Sequence, residues 1–369
     1  MASKIVFGKW ESISLLAVLM STQIFLGFPR LMVETAGTGA WLLVIYAAVL
    51  AMLLFAVIAK LYSPFEGKDI IDIGGLAGGN AGRIITGSIF LLYLIFIVSV
   101  SLREYAENMK IIYLNVTPIS FVEMFFLAGM IAGAFMGIES IVRLGAILAP
   151  VIAVGFFMIT FGIYPYYDFS KIFPVLGSGV NNIFLRGFSK VSVFSAISVL
   201  FLIAPFLKTN KNFRTTGYAS IGISAVMLTW SSLMNILAFD YPAALERLMP
   251  VFQMARLVNL GRFFQRVESL FMIAWTVSGF LYLSAVFFFI AYVFRKTFKL
   301  EYYRPVIFPF ATLVFTISLM PPNVIAATRL EIDYFRNYVW IISFVLPIVV
   351  LLIARARIKV LKTGGAENA

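Results

Sequence analysis

Ten apolar runs follow one another along this chain, each about as long as a helix must be to cross the hydrocarbon core of a bilayer, with charged or turn-forming residues between them. Inside a bilayer every backbone amide and carbonyl must be paired within the protein, so such runs are read as transmembrane helices. The runs cover about 12–35, 39–61, 83–106, 118–137, 141–163, 188–207, 216–239, 267–294, 304–320 and 335–354. Only 12% of the residues are charged and 62% are hydrophobic, a polytopic membrane composition. The predicted fold class is an all-α polytopic membrane protein: one integral domain over residues 1–369, with a short tail at 355–369.

The first run is interrupted where an ordinary span would continue. After about a dozen apolar residues the chain meets Ser21, Thr22 and Gln23, then Gly27 and Pro29. Proline cannot donate a backbone hydrogen bond and disfavours helix at the residue before it. Bare backbone at membrane depth is tolerated where it lines a cavity, and a broken helix there points to a transporter-type binding site. Span six carries Ser192, Ser195 and Ser198 through its middle and Pro205 near its end, the pattern of a second break. Ten spans divide into two sets of five of opposite direction, an inverted repeat with helices one and six discontinuous. The first repeat is placed at about 12–163 and the second at about 188–354.

Charge sets the expected orientation. With the N-terminus cytoplasmic, that side collects Lys4, Lys9, Lys60, Lys68, Arg83, Arg143, Lys208, Lys211, Arg214, Arg295, Lys296, Lys299, Arg304 and the tail cations through Lys362. The other side holds Glu104, Glu107, Asp168, Asp240, Glu246, Glu268, Glu331 and Asp333. Both termini cytoplasmic satisfies the positive-inside rule, and the net charge of +12 is read as topology, not as nucleic-acid binding. No small-residue cleavage site follows the first span, so no cleavable signal is expected.

Candidate chemistry is sparse. No cysteine and no histidine occurs, which removes thiolate nucleophiles, the usual general base and the commonest metal ligands. Glu34, Glu123, Glu139 and Glu268 are placed near span ends, none with a paired carboxylate, and no ionisable residue is expected at the midplane. The reading is therefore of a non-enzyme with no cofactor and no metal. Thr276, Ser278 and Ser284 in span eight are read first as packing hydroxyls and second as sodium ligands. The glycine-rich stretch 63–82 lacks the Gly-Lys-Ser/Thr ending of a phosphate loop and is read as a loop with a short surface helix. Residues 242–266 alternate apolar and basic positions, including Leu260, Arg262 and Arg266, as an amphipathic segment lying on the surface would.

Several segments, in order, resemble the B subunit of spore germinant receptors within the amino acid–polyamine–organocation transporter superfamily. They are Phe28-Pro29-Arg30; Gly137 through Arg143 followed by Pro150; Phe173 through Gly179; and Arg256 through Trp275 with Gly261, Phe263, Arg266 and Glu268. The resemblance implies a LeuT-like 5+5 fold and a small nutrient ligand, such as an amino acid, bound at the breaks of helices one and six. It also implies germinant receptor A and C subunits as partners and the inner membrane of a bacterial endospore as location. The ligand-binding residues expected on this basis are Thr22, Gln23, Ile24 and Phe25 from span one, with Phe194, Ser195 and Ala196 from span six. Tyr93, Ile97 and Thr276 are expected at the sides. The family carries Gly-x-Gly where this chain has Thr22-Gln23-Ile24, and threonine and isoleucine crowd a position where backbone amides would approach a carboxylate.

Overall fold

The computed structural model describes residues 7–207, 209–259 and 267–366, without the side chains of 360–366. Lys4, Lys208, Leu260, Gly261, Arg262, Phe263 and Arg266 lie outside the described residues, as does the side chain of Lys362. Every regular element among the described residues is helical. Eight helical stretches are long and apolar enough to cross a membrane, and a shorter apolar helix covers Arg304–Ser318. The first of the eight, Phe28–Phe65, joins the second half of span one to span two. Counting the divided first helix and the short ninth, the structure contains the ten segments expected.

Span one is divided. Helix Lys9–Ser21 passes into a tight 3-10 turn at Thr22–Phe25, leaves helical geometry at Leu26 (φ −104°, ψ −147°) and resumes as Phe28–Ala36. Pro29 sits in the first turn of the resumed helix, where its missing donor has no helical partner to lose. Span six is irregular throughout: a wide turn at Asn181–Leu185, then 3-10 winding over Arg186–Ser198 with Phe194 off helical geometry, then a short helix to Ile203. Serine side chains compete for backbone partners, which favours this departure from regular helix.

Span three is longer than its hydrophobic run. Helix starts at Ile70, where the Asp69 carboxylate caps the amides of Ile71 and Asp72, and bends at Gly78–Gly79 before running on to Ile112. Gly79 takes φ +66°, a conformation L side chains resist. The glycine-rich stretch is therefore a short helix hinged onto the span.

Spans six and eight are the most enclosed, each with 78% of its most apolar window buried, against 28% for span four and 33% for span five. Large apolar residues on the outer spans, such as Leu92, Phe121, Met136 and Ile147, stay exposed on the molecule's flank, as lipid-facing side chains do.

Two expectations about charge are corrected. Glu123 was expected near water at a span end, yet it is fully buried: Arg103 donates to it at 3.2 Å and Ser318 Oγ at 2.8 Å. Arg103 also pairs with Glu107 at 2.8 Å, so the network ties spans three, four and nine. Glu331 was expected in an outer loop before span ten. Helix begins instead at Val324 and continues through a wide turn over Leu330–Arg336, which carries Glu331 into the protein at 8% exposure. Hydropathy misses such a turn because its charges sit just before the apolar run.

Candidate functional site

The two breaks meet at a central cavity of about 60 Å³. Thr22, Gln23, Tyr93, Ile97, Ser195 and Ala196, all expected from the sequence, line it. Thr22 Oγ1 donates to the Val18 carbonyl at 2.7 Å, which occupies a carbonyl near the end of the first half-helix. Gln23 spans the gap between the breaks: its Nε2 donates to the Met20 carbonyl at 2.6 Å and to the Val193 carbonyl of span six at 3.0 Å. Tyr93 stacks on Phe335 with ring centroids 5.6 Å apart, and its hydroxyl receives a hydrogen bond from Ser198 at 3.5 Å.

Four expected residues are elsewhere. Ile24 and Phe194 are fully buried and pack behind the breaks, outside the cavity lining. Phe25 packs edge-on against Phe156 and Phe271 and borders a separate apolar crevice with Trp10 and Pro150. Thr276 contacts the Met272 sulfur at 3.8 Å, away from the cavity. The hydroxyls of Ser278 and Ser284 donate to the carbonyls of Trp275 and Gly129, so the three span-eight hydroxyls turn to three different partners.

No ionisable residue was expected at the midplane, yet the structure brings an ion pair to the break in helix one. Arg336 Nη1 donates to Gln23 Oε1 at 2.5 Å, and Nη2 pairs with Glu331 at 2.5 Å; both charged side chains are nearly enclosed. The Gln23 amide thus satisfies carbonyls from both breaks with its nitrogen and a guanidinium with its oxygen, closing a polar bridge across spans one, six and ten. The wide turn at Leu330–Arg336 presents Glu331, Phe335 and Arg336 to the cavity together. Extra residues of this kind in a helix recur at functional sites. The signal open to a sequence reader was a cluster of charges, Arg329, Glu331, Asp333 and Arg336, at the leading edge of an apolar run.

Span three supplies Tyr105, whose fully buried ring is admitted by Gly279 of span eight; a Cβ on that glycine would collide with it. Beyond Leu26 lies a second cavity, a vestibule of about 730 Å³ lined by Arg30, Glu34, Glu104, Glu246, Arg329 and Asp333. Leu26 borders both spaces. Glu104 lines the vestibule and Glu331 the central cavity, and the two carboxyls adjoin.

The architecture is that of known transporters. A nucleobase-cation-symport-1 family transporter, Mhp1, solved closed with bromovinylhydantoin bound, superposes with a TM-score of 0.67 at 11% identity, covering 98% of this chain and 96% of its own. MhsT in complex with L-phenylalanine gives 0.64 at 14% identity over 96% and 89%. By sequence the chain is 24% identical to spore germination protein A2 of Bacillus subtilis (strain 168) over 355 residues, 93% of this chain and 94% of that one. It is also 24% identical to spore germination protein B2 of the same organism over 273 residues, 72% and 73% of the two chains. The family profile described as Spore germination protein matches residues 10–325. With most of its length under that profile, this LeuT-like membrane protein belongs to the spore germination protein family.

Proposed function

We propose that the protein is the nutrient-sensing membrane subunit of a germinant receptor, binding a small ligand where helices one and six break and signalling by a change of conformation. The observation that carries the reading is the Gln23–Arg336–Glu331 bridge, whose three residues line the central cavity where helices one and six break. A ligand entering the central cavity meets this bridge in its wall. It biases the conformational equilibrium only by as much as it prefers one arrangement of the bridge over the other. The membership of the spore germination family supports assembly with A and C subunits in the inner membrane of an endospore. The fold neighbours, solved with L-phenylalanine or bromovinylhydantoin bound, support a small organic ligand such as an amino acid. The repeats at about 12–163 and 188–354 and the cytoplasmic placement of both termini belong to the same proposal.

A second reading, a secondary transporter of amino acids or related solutes, is favoured by the vestibule leading to a closed central cavity. A conducting role would require a polar path past the apolar side of that cavity, where Leu19, Leu94, Val199 and Val286 stand. The test is co-purification with the A and C subunits, followed by binding over a nutrient panel and uptake into liposomes under ion gradients. Binding without accumulation supports the receptor. Gradient-driven accumulation by this chain alone overturns it.

A further inference from the structure

The proposal above leaves open which part of a ligand binds where, and the arrangement of charge around the breaks answers that. An ammonium group at a helix break is held by backbone carbonyls, but here the Gln23 amide already donates to Met20 and Val193. The polar end of the break is occupied by the protein's own side chain.

Charge is unbalanced a few residues away. Glu104 and Glu331 lie side by side at 4% and 8% exposure, with Thr328 next to them. Arg336 is the one cation in ion-pair reach of either carboxylate among the described residues, and it engages Glu331. Glu104 Oε2 has no hydrogen-bond partner. Lys190, the other buried cation nearby, turns to Asn337 at 3.4 Å. Glu104 meets Thr328 and Glu331 but no cation of its own; a carboxylate removed from water without one is costly, and an ionisable group at such a place marks a functional site. Tyr105, fully buried among Tyr282, Glu104 and Glu331, lines the central cavity, and its hydroxyl is likewise without a partner.

We propose that Glu104, flanked by Glu331, receives the ammonium group of the ligand at the junction of vestibule and central cavity, with the Tyr105 hydroxyl as a further acceptor, while Gln23 keeps the break carbonyls. This rests on the ligand-binding reading and names the chemical class: a primary amine, free or within an amino acid. Three N–H donors match an anionic oxygen, a hydroxyl and a neighbouring carboxylate, and the aromatic faces of Tyr93 and Phe335 suit a cation with an apolar tail. An alkali ion would need more oxygens than stand unpartnered here.

The full-length protein in nanodiscs is titrated calorimetrically with primary amines, amino acids, amino-acid amides, carboxylates, sugars, and sodium and potassium chloride. Binding by amines, amino acids or their amides is expected. N-acetylation of the ligand should abolish it, and Glu104→Gln should weaken it about thirtyfold or more. Glu139→Gln, in an exposed pair with Arg143, is the control and should leave affinity unchanged. Equal affinity in Glu104→Gln, undiminished binding after N-acetylation, or saturation by the alkali salts alone overturns the proposal. The N-acetylation arm needs no variant, so it decides even if Glu104→Gln does not fold. Binding by sugars or carboxylates alone overturns this inference and leaves the receptor reading standing, whereas a wild type that binds nothing in the panel overturns both.

Discussion

Replacing Gln23 with leucine keeps the size of the side chain and removes every polar contact it makes. Two amide-to-carbonyl bonds go, to Met20 and Val193, together with one bond received from the Arg336 guanidinium. Neutral bonds contribute about 0.5–1.5 kcal/mol each and one to a charged group about 1.5–3 kcal/mol. Because Gln23 is only partly buried and the freed groups regain some water, the lower part of the summed range applies, about 2.5–4 kcal/mol. The measurement is unfolding of the purified protein in mixed micelles with increasing denaturing detergent. Gln23→Glu separates the contributions, since it keeps an acceptor for Arg336 but sets a carboxylate against two carbonyl oxygens. It should fall between wild type and Gln23→Leu, or below both if that repulsion exceeds the gain at Arg336. A Gln23→Leu protein within about 0.5 kcal/mol of wild type, the usual range for an indifferent surface change, would refute the bridging role.

Glu123→Leu leaves Arg103 with only Glu107 and the Pro322 carbonyl and should cost about 3–5 kcal/mol, the usual penalty for breaking a buried pair; adding Arg103→Met should recover part of that loss in the same unfolding assay. Gly279→Val drives a side chain into the Tyr105 ring and should destabilise by about 1–3 kcal/mol while displacing Tyr105 from the cavity, so ligand binding weakens more than stability does. The natural sequence has no cysteine, so single cysteines placed at Lys9 and at Ser170 report topology directly: an impermeant maleimide should label position 170 from outside and position 9 only after permeabilisation. The opposite pattern overturns the assigned orientation.

The number of spans, the divided first helix and the irregular sixth were legible because they are written locally. Apolar run length reports spanning, and Thr22, Gln23, Pro29 and the span-six serines report lost helical hydrogen bonding at the residues that lose it. Six of the ten expected site residues reach the cavity for the same reason: they sit at the breaks or one helix away. Ile24, Phe25 and Phe194 do not, because a helix turns about 100° per residue and a break changes which way its neighbours face. Only packing decides the face.

The charged part of the site was hidden from the sequence. Glu104 and Arg103 stand near the end of a long helix, and Glu331 and Arg336 stand at the leading edge of an apolar run; in a linear reading each looks free to reach water. The tertiary structure draws span ten inward by extending it with a wide turn, which brings Glu331 and Arg336 to the central cavity, and Arg103 finds its partners on spans three and four. Hydropathy is a property of neighbours in the chain, whereas burial of a charge depends on partners hundreds of residues away: Gln23 finds Arg336 across 313 positions, and Glu123 finds Ser318 across 195. The membrane fold follows from solvent and backbone chemistry acting segment by segment. The polar bridge at its centre exists only once the segments are packed.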